Sequence, residues 1–355
     1  MIAVGVSGGV DSSVSALLLA QQHKNVRGVF MHNWEEDGTG ECRADMDRRD
    51  ALRVCAAVGI PFSSRNFSKE YMDNVFSEFL EGYARGVTPN PDILCNREVK
   101  FKVFLEDCLA QGDDFIATGH YVRKGEANGR SLLLRGVDAG KDQSYFLHAI
   151  THDALSRSLF PIGHLPKSEV RKIAEDANLV TARKKDSTGI CFIGEQDFKT
   201  FLKKYLPAQE GEVVTETGMV VGKHSGALYY TVGQRAPIGG VKGHDASVPW
   251  FVLSKDVANN RLIVGQGGDH PALIHSTIVT DTFSWIDGSA PASSFEGEVQ
   301  VRHLGEALPA RIDVRDDGSV VMRMRTPHRA AAIGQSAVVY QGEVCLGGGE
   351  ITQAH

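Results

Sequence analysis

The chain has 355 residues, a net charge of −6, 42% hydrophobic and 23% charged residues, and six cysteines. This is the composition of a globular protein of two or three domains, at roughly 100–200 residues each. No apolar run approaches the roughly 20 residues of a membrane-spanning helix, so no membrane role is predicted, and the acidic balance argues against a surface coated in nucleic acid. Met1 leads straight into an apolar stretch without a basic leader, which predicts a cytoplasmic protein with reduced thiols. The cysteines show no C-x-x-C spacing, so a structural zinc site is not predicted.

The first half alternates apolar strands with amphipathic helices. Strands are predicted at Ile2–Val6, Val26–Met31, Pro61–Asn66 and Phe115–Thr118, and helices at Ser12–Gln22, Ala44–Val58, Lys69–Arg85 and Glu98–Gln111. Such alternation builds βαβ units, hence an α/β fold with a doubly wound parallel sheet whose ligands bind beyond the carboxyl ends of the strands. A hairpin over Tyr121–Arg135 turning at Asn128-Gly129 follows, then helices near Asp153–Leu159, Lys167–Asn178 and Gln196–Tyr205. After Pro207 short β runs take over: Glu212–Thr215, Met219–Val221, Trp250–Ser254, Arg261–Val264, Gly297–Arg302, Arg311–Val314, Val320–Met324, Ser336–Gln341 and Glu343–Leu346. Their spacing predicts two small barrel-like β domains, with boundaries near 207 and 272: a catalytic unit 1–207, a central unit 208–272 and a terminal unit 273–355.

The first strand ends in Gly5-Val6-Ser7-Gly8-Gly9-Val10-Asp11-Ser12, a glycine turn into a helix expected to open on an Asp/Ser cap. Backbone N–H groups and hydroxyls gathered at a helix N-terminus favour an anion, and a phosphate is the natural one. The loop lacks the Gly-Lys-Ser/Thr ending of a Walker A motif and the G-x-G-x-x-G of a dinucleotide fold. It carries the Ser-Gly-Gly-x-Asp-Ser signature of the PP-loop pyrophosphatases, which cleave ATP between its α and β phosphates.

Two cysteines stand apart from the rest. Cys95 closes the segment Thr88-Pro89-Asn90-Pro91-Asp92-Ile93-Leu94, where two prolines are expected to hold the chain extended up to a cap at Asn96. A thiol just before a helix carrying Arg97, Lys100 and Lys102 would ionise below its usual pKa of about 8.5, whereas Asp92, if too close, would oppose this. Cys191 lies in Asp186-Ser187-Thr188-Gly189-Ile190-Cys191-Phe192, beside the basic run Arg183-Lys184-Lys185. That run, Lys167 with Arg171 and Lys172, and Lys203-Lys204 are candidate RNA contacts, although such clusters are more often solvated helix faces. Cys55 and Cys108 repeat with apolar residues at helical spacing and read as core thiols.

With these residues in view the whole chain resembles the tRNA-specific 2-thiouridylases of the MnmA/TrmU type. The resemblance rests on Gly5–Ser12, Phe30–Glu36, Gly86–Asn96 (GVTPNPDILCN), Ala117–Arg123, Gly140–Phe146, Lys185–Gly194 (KDSTGICFIG), Gly233–Arg235 and Arg325–Pro327. It implies ATP-dependent adenylation at C2 of the wobble uridine in tRNAs for lysine, glutamate and glutamine. A cysteine persulfide then supplies sulfur, giving 2-thiouridine, AMP and pyrophosphate. It also implies that Gly5, Val6, Ser7, Gly8, Gly9, Val10, Asp11, Ser12, Met31 and Gly119 bind the nucleotide with Mg²⁺. Cys191 would carry the persulfide, loaded by a cysteine desulfurase or sulfur-relay protein. Cys95 would form a transient disulfide with Cys191, and Asp92 would be the general acid/base. Contacts to tRNA would come from Asn90, Pro91, Asp92, His120, Lys141, Asp142, Gln143, Arg302, His303 and Gln335.

Two other readings compete. Another adenylating PP-loop tRNA-modifying enzyme or ligase would need the loop but no cysteine pair. A nucleotide- or RNA-binding protein with redox-sensing thiols would need no catalysis at all.

Overall fold

Strand β1 (Ile2–Gly5) is buried along its whole length, as a central parallel strand must be when both faces are covered. It leads through the glycine turn into α1 (Val10–Gln22), then β2 (Val26–His32), α2 (Arg43–Val58) and β3 (Phe62–Asn66). The structure, a computed structural model, describes residues 1–34, 43–186, 198–236, 238, 241 and 245–355. Cys191 and the rest of 187–197 lie outside the described residues.

Two long helical runs follow β3. One joins α3 (Ser68–Tyr71) to α4 (Ser77–Ala84) through a wider turn, Met72–Phe76, and the other joins α5 (Pro91–Leu94) to α6 (Phe104–Ala110) through Cys95–Val103. In both wide segments the backbone bonds five residues back, as from Phe104 N–H to the Val99 carbonyl. Strand β4 (Phe115–Ala117) returns beside β1, and β7 (Ser158–Leu159), a strand the sequence did not suggest, pairs outside β4. The parallel order is β3-β2-β1-β4-β7, which places the topological switch between β1 and β4.

The hairpin β5 (Val122–Ala127) and β6 (Arg130–Arg135) turns at Asn128 and Gly129, both with positive φ (52° and 73°), the geometry that Asn-Gly favours. Short helices α7 (Ser144–Leu147), α8 (His152–Ser156), α9 (Lys167–Asp176) and α10 (Phe198–Tyr205) complete this half. Strands β8 (Gly211–Thr215), β9 (Val220–His224), β10 (Trp250–Asp256) and β11 (Arg261–Gln266) form a four-stranded sheet. The remaining strands are β12 (Ile274–Thr280), β13 (Ser284–Trp285), β14 (Ser294–Gln300), β15 (Leu308–Val314), β16 (Val320–Arg329), β17 (Ser336–Gln341), β18 (Val344–Glu350) and β19 (Gln353–Ala354). They form one large sheet that also takes in β5 and β6 through pairing of β6 with β18. The sequence placed that hairpin with the first half alone. Pairing Leu133 and Leu134 against Cys345 and Val344 covers an otherwise open edge and buries Leu133 completely.

A second difference concerns the segment before Cys95. The helix starts at Pro91 rather than after Asn96: Asn90 is its cap, accepting from the backbone N–H of Asp92 (3.1 Å) and Ile93 (3.4 Å). Proline at the first helical position has no N–H to lose and a preset φ, so here it initiates the helix. Cys95 therefore sits inside a helical run, fully buried, and not at a helix N-terminus.

Where the two halves meet, His148 is 2% exposed, its Nδ1 lies 2.8 Å from the Tyr145 carbonyl, and its ring presses against Gly348 of β18. Burial pushes this imidazole from 6.5 down to about 4. The fold favours the neutral ring, so its stabilisation is complete above pH 6.5 and is lost as pH falls from 6.5 towards 4, about 3 kcal/mol by linkage. Urea unfolding across that window should show falling stability in the wild type and a shallower slope in His148→Gln; equal slopes would refute the assignment.

Candidate functional site

The turn after β1 leaves the first amides of α1 without a side-chain cap. Gly9 is the N-cap residue, replacing the expected Asp/Ser cap, and the serines instead turn back on the helix. The hydroxyls of Ser12 (3.1 Å) and Ser13 (2.7 Å) donate to the Gly9 carbonyl, and Ser12 Oγ accepts from Ser7 N–H at 3.1 Å. A loop braced this way holds its shape while its amides stay available to an anion.

Close packing fixes the loop from two sides. Gly8 has φ 74°, and a Cβ there would stand 2.4 Å from the Asp47 carbonyl of α2. A Cβ on Gly119, just beyond β4, would stand 2.7 Å from Ser12 N. Only glycine fits either place. Met31 lies against Gly5, its Cε 3.2 Å from where a Cβ would be.

Charged side chains surround the loop in a paired network. Asp11 accepts from Tyr121 (2.6 Å) and from Lys167 Nζ (2.7 and 2.9 Å). Lys167 also pairs with Asp186 at 2.7 Å, and Asp186 takes Lys141 at 2.8 Å and Arg171 at 2.7 Å. Burial would raise the Asp186 carboxyl, but hydrogen bonds from Lys141 and Lys167 overcome it and hold the group down at about 2. Burial and then the Asp11 charge push the Tyr121 phenol far above its ordinary range, so it stays a donor. Lys184 binds the Gly8 carbonyl (2.9 Å), Asp47 (2.7 Å) and Asp50 (2.8 Å). Of the basic run proposed to meet RNA, Arg183 and Lys185 are exposed, but Lys184 is spent on the loop. Lys167, read as part of a solvated face, is only 9% exposed. Its pairing with Asp11 spans 156 positions, which helical spacing alone cannot reveal.

His120 links this loop to the cysteine-bearing helix. Its Nδ1 lies 2.8 Å from Thr118 Oγ1, and its ring is 5.7 Å from Phe101, six residues after Cys95. Burial, then Lys100, press the imidazole well below 6.5, so it is neutral at physiological pH. Asn96 donates to the Phe146 carbonyl (3.3 Å), and the Phe146 ring lies 4.3 Å from His303, which the Asp92 charge also reaches.

The sequence-predicted RNA contacts divide by what they touch. Asn90, Pro91 and Asp92 are half-buried around the helix start. Asp142 is buried, accepting from Gly136 N–H (2.9 Å) and Ser144 Oγ (2.8 Å), with Arg135 at 3.2 Å. Gln143 accepts from Tyr121 N–H (2.9 Å), and His303 Nε2 meets the Asp142 carbonyl (3.0 Å). Arg302 donates to the Ala330 carbonyl (2.8 Å), while Gln335 donates to the Thr88 carbonyl (2.6 Å). The bonds of His303 and Gln335 join the terminal domain to the first, whereas that of Arg302 stays within the terminal domain.

The described cysteines Cys55, Cys95, Cys108 and Cys345 are unoxidised thiols. Burial raises Cys55 to about 11 and Cys108 and Cys345 to about 12, as core thiols. Cys191 and Cys42 lie outside the described residues.

Comparison with known proteins follows the same division. Residues 1–195 match the tRNA methyl transferase HUP domain, 199–266 the tRNA methyl transferase PRC-barrel domain, and 275–351 the aminomethyltransferase beta-barrel domain. The chain is 53% identical over 352 residues to the tRNA-specific 2-thiouridylase MnmA of Xanthomonas euvesicatoria, covering 99% of this chain and 93% of that one. The enzyme of the same name from Francisella philomiragia is 53% identical over 354 residues, covering 99% and 98%. That of Yersinia enterocolitica is 52% identical over 360 residues, covering 100% and 96%.

Removing Lys167 strips Asp11 of its cation and Asp186 of one of three. Lys167→Met is expected to lose about 1–3 kcal/mol in urea unfolding, less than a fully buried pair because both carboxylates are partly solvated. Asp11→Asn in the same background should restore part of that loss; two additive losses would show that the pair is not coupled.

Proposed function

The chain belongs to the tRNA-specific 2-thiouridylase family, and from that membership we propose how its residues share the reaction. The enzyme is a tRNA-uridine 2-sulfurtransferase that uses ATP to replace the C2 oxygen of the wobble uridine with sulfur. A pyrimidine carbonyl oxygen is a poor leaving group until it is esterified. Attack of O2 on the α-phosphate expels pyrophosphate and leaves an adenylated uridine. Residues Gly5–Ser12 receive the pyrophosphate at the uncapped start of α1, with Lys167 and Lys184 beside it. Met31 and Gly119 border the rest of the nucleotide.

Among the described residues no group of three or more His, Cys, Asp or Glu side chains is arranged to hold a metal. Mg²⁺ would arrive with ATP; Asp11 is the carboxylate of the loop that would face it, and the ion would neutralise the leaving pyrophosphate.

Sulfur arrives as a persulfide on Cys191, delivered by a cysteine desulfurase or a relay protein. In one order its terminal sulfur attacks C2 and displaces AMP; the Cys95 thiolate then attacks the Cys191 sulfur, freeing 2-thiouridine. In the other, Cys95 attacks first and releases hydrosulfide, which attacks C2. Both orders end in a Cys95–Cys191 disulfide, and a two-electron reductant restores the thiols. Asp92 acts as general acid/base, three positions before Cys95 on the same helical run. Asn90, Pro91 and Asp92 surround the extruded base, and Lys141, Asp142, Gln143, His120, Arg302, His303 and Gln335 contact or shape the path of the tRNA. Units 208–272 and 273–355 hold the tRNA body by its shape and phosphates.

The observation that carries this reading is the Gly119-His120 link. One residue closes the phosphate loop and the next packs on the helix of Cys95, which ties the site of activation to the Cys95 helix through consecutive residues. The test is mass spectrometry of tRNA nucleosides after incubation with ATP and a persulfide donor. Cys95→Ser should abolish 2-thiouridine while pyrophosphate release persists, and Asp11→Asn should cut pyrophosphate release at least tenfold. Normal 2-thiouridine from Cys95→Ser would overturn the assignment.

A further inference from the structure

Asn33 stands immediately beyond β2, at the carboxyl edge of the sheet, and is 2% exposed. Neither its Oδ1 nor its Nδ2 has a hydrogen-bond partner among the described residues. A dry amide with both ends unpaired carries the full desolvation penalty of each group, and native proteins rarely leave one without a reason.

The backbone around it is rigid. Phe67 N–H donates to the His32 carbonyl at 2.8 Å on one side. On the other, the Trp34 ring is caged by Phe76 (4.9 Å), Phe201 (6.0 Å), Tyr71 (6.1 Å) and Tyr205 (6.4 Å). The chain on either side of Asn33 is thus anchored, and its amide stays buried. The amide is held in place and waiting for a partner.

Its position indicates which partner. β2 is the neighbour of β1, with Val29 opposite Gly5 and Val6 N–H bonded to the Val29 carbonyl at 2.9 Å. The phosphate loop therefore begins one strand away, at about 4.8 Å spacing. Met31 lies over Gly5, and Asn33 follows it by two positions, the spacing at which side chains return to the same side of an extended chain. A nucleotide with phosphates on the loop would extend its base along this edge.

The chemistry agrees. An adenine edge presents the 6-amino donor beside a ring-nitrogen acceptor, and an asparagine amide meets both at once, oxygen to the amino group and NH₂ to the ring nitrogen. We propose that Asn33 reads the adenine of ATP by this paired hydrogen bond and sets nucleotide specificity. The proposal rests on the ATP reading above.

The test compares ATP with purine riboside triphosphate, which lacks the 6-amino group, by equilibrium binding to the full-length protein. The wild type should prefer ATP at least tenfold. Asn33→Leu should bind ATP at least tenfold more weakly, with its preference reduced to within twofold and its urea midpoint no lower than wild type. Asn33→Ala reads the same ratio should leucine disturb the packing. Retained preference in both variants overturns the proposal. So does unchanged ATP affinity with loss confined to the tRNA-dependent step, which would direct the amide to the target uracil. Failure of the wild type to bind ATP at all would instead strike the underlying reading, and is distinguishable because no variant is needed to see it.

Discussion

The approach of Gly119 to the start of α1 is the contact on which the site depends. Backbone meets backbone where a methyl group would collide with Ser12 N at 2.7 Å, so the end of β4 lies directly on the phosphate loop. The strand order makes this possible, since β1 and β4 are neighbours at the switch point. From there the next residue, His120, turns to the Cys95 helix, and Tyr121 turns back to Asp11. Three consecutive residues thus set loop, helix and carboxylate relative to one another. A larger residue at 119 would disturb all three together.

The terminal domain braces the segment that leads to Cys95. Gly334, with φ 89°, lies so close to Thr88 that a Cβ would stand 2.6 Å from its nitrogen, and Gln335 and Ile333 bond the same residue. Thr88 leads into Asn90, whose capping of the helix positions Asp92 and Cys95. His303 arrives from the end of β14 to pack on Phe146. Residues that a resemblance assigns to RNA, His303 and Gln335, therefore hold the Cys95 helix in place within the protein.

Much of the first half was legible because short-range patterns dictate it. Gly8 and Gly9 with Ser12 marked the loop, and the parallel strands followed from apolar runs of the right length. Asn90-Pro91 carried a helix-start signal in plain view, cap followed by first-position proline, but two prolines in three residues weighed the reading toward an extended chain. What stayed hidden depends on contacts distant in sequence. Lys167 looked like a surface cation because nothing local announces Asp11 as its partner. The hairpin at 122–135 looked self-contained because its outer edge is covered by a strand more than two hundred residues on. The strand Ile274–Thr280 alternates too weakly to stand out, and is held by pairing with β16 and β19.

The net charge of −6 invites the question of how such a protein handles two polyanions. The charge near the loop answers it. Lys141, Lys167, Arg171 and Lys184 are matched there by Asp11, Asp186, Asp47 and Asp50, a balanced set in which each cation already has a carboxylate. Unpaired lysines in this half-buried place would lose solvation with nothing in return, so the carboxylates hold the cations in position. On the reading proposed above, an arriving triphosphate would not have to create a basic pocket; it would exchange one set of anionic oxygens for another. The exchange is favourable when phosphate meets helix amides and lysines together, which no single carboxylate in the network does. Asp186 is the member through which that exchange would be felt furthest, because it holds three of the four cations and directly precedes the segment carrying Cys191.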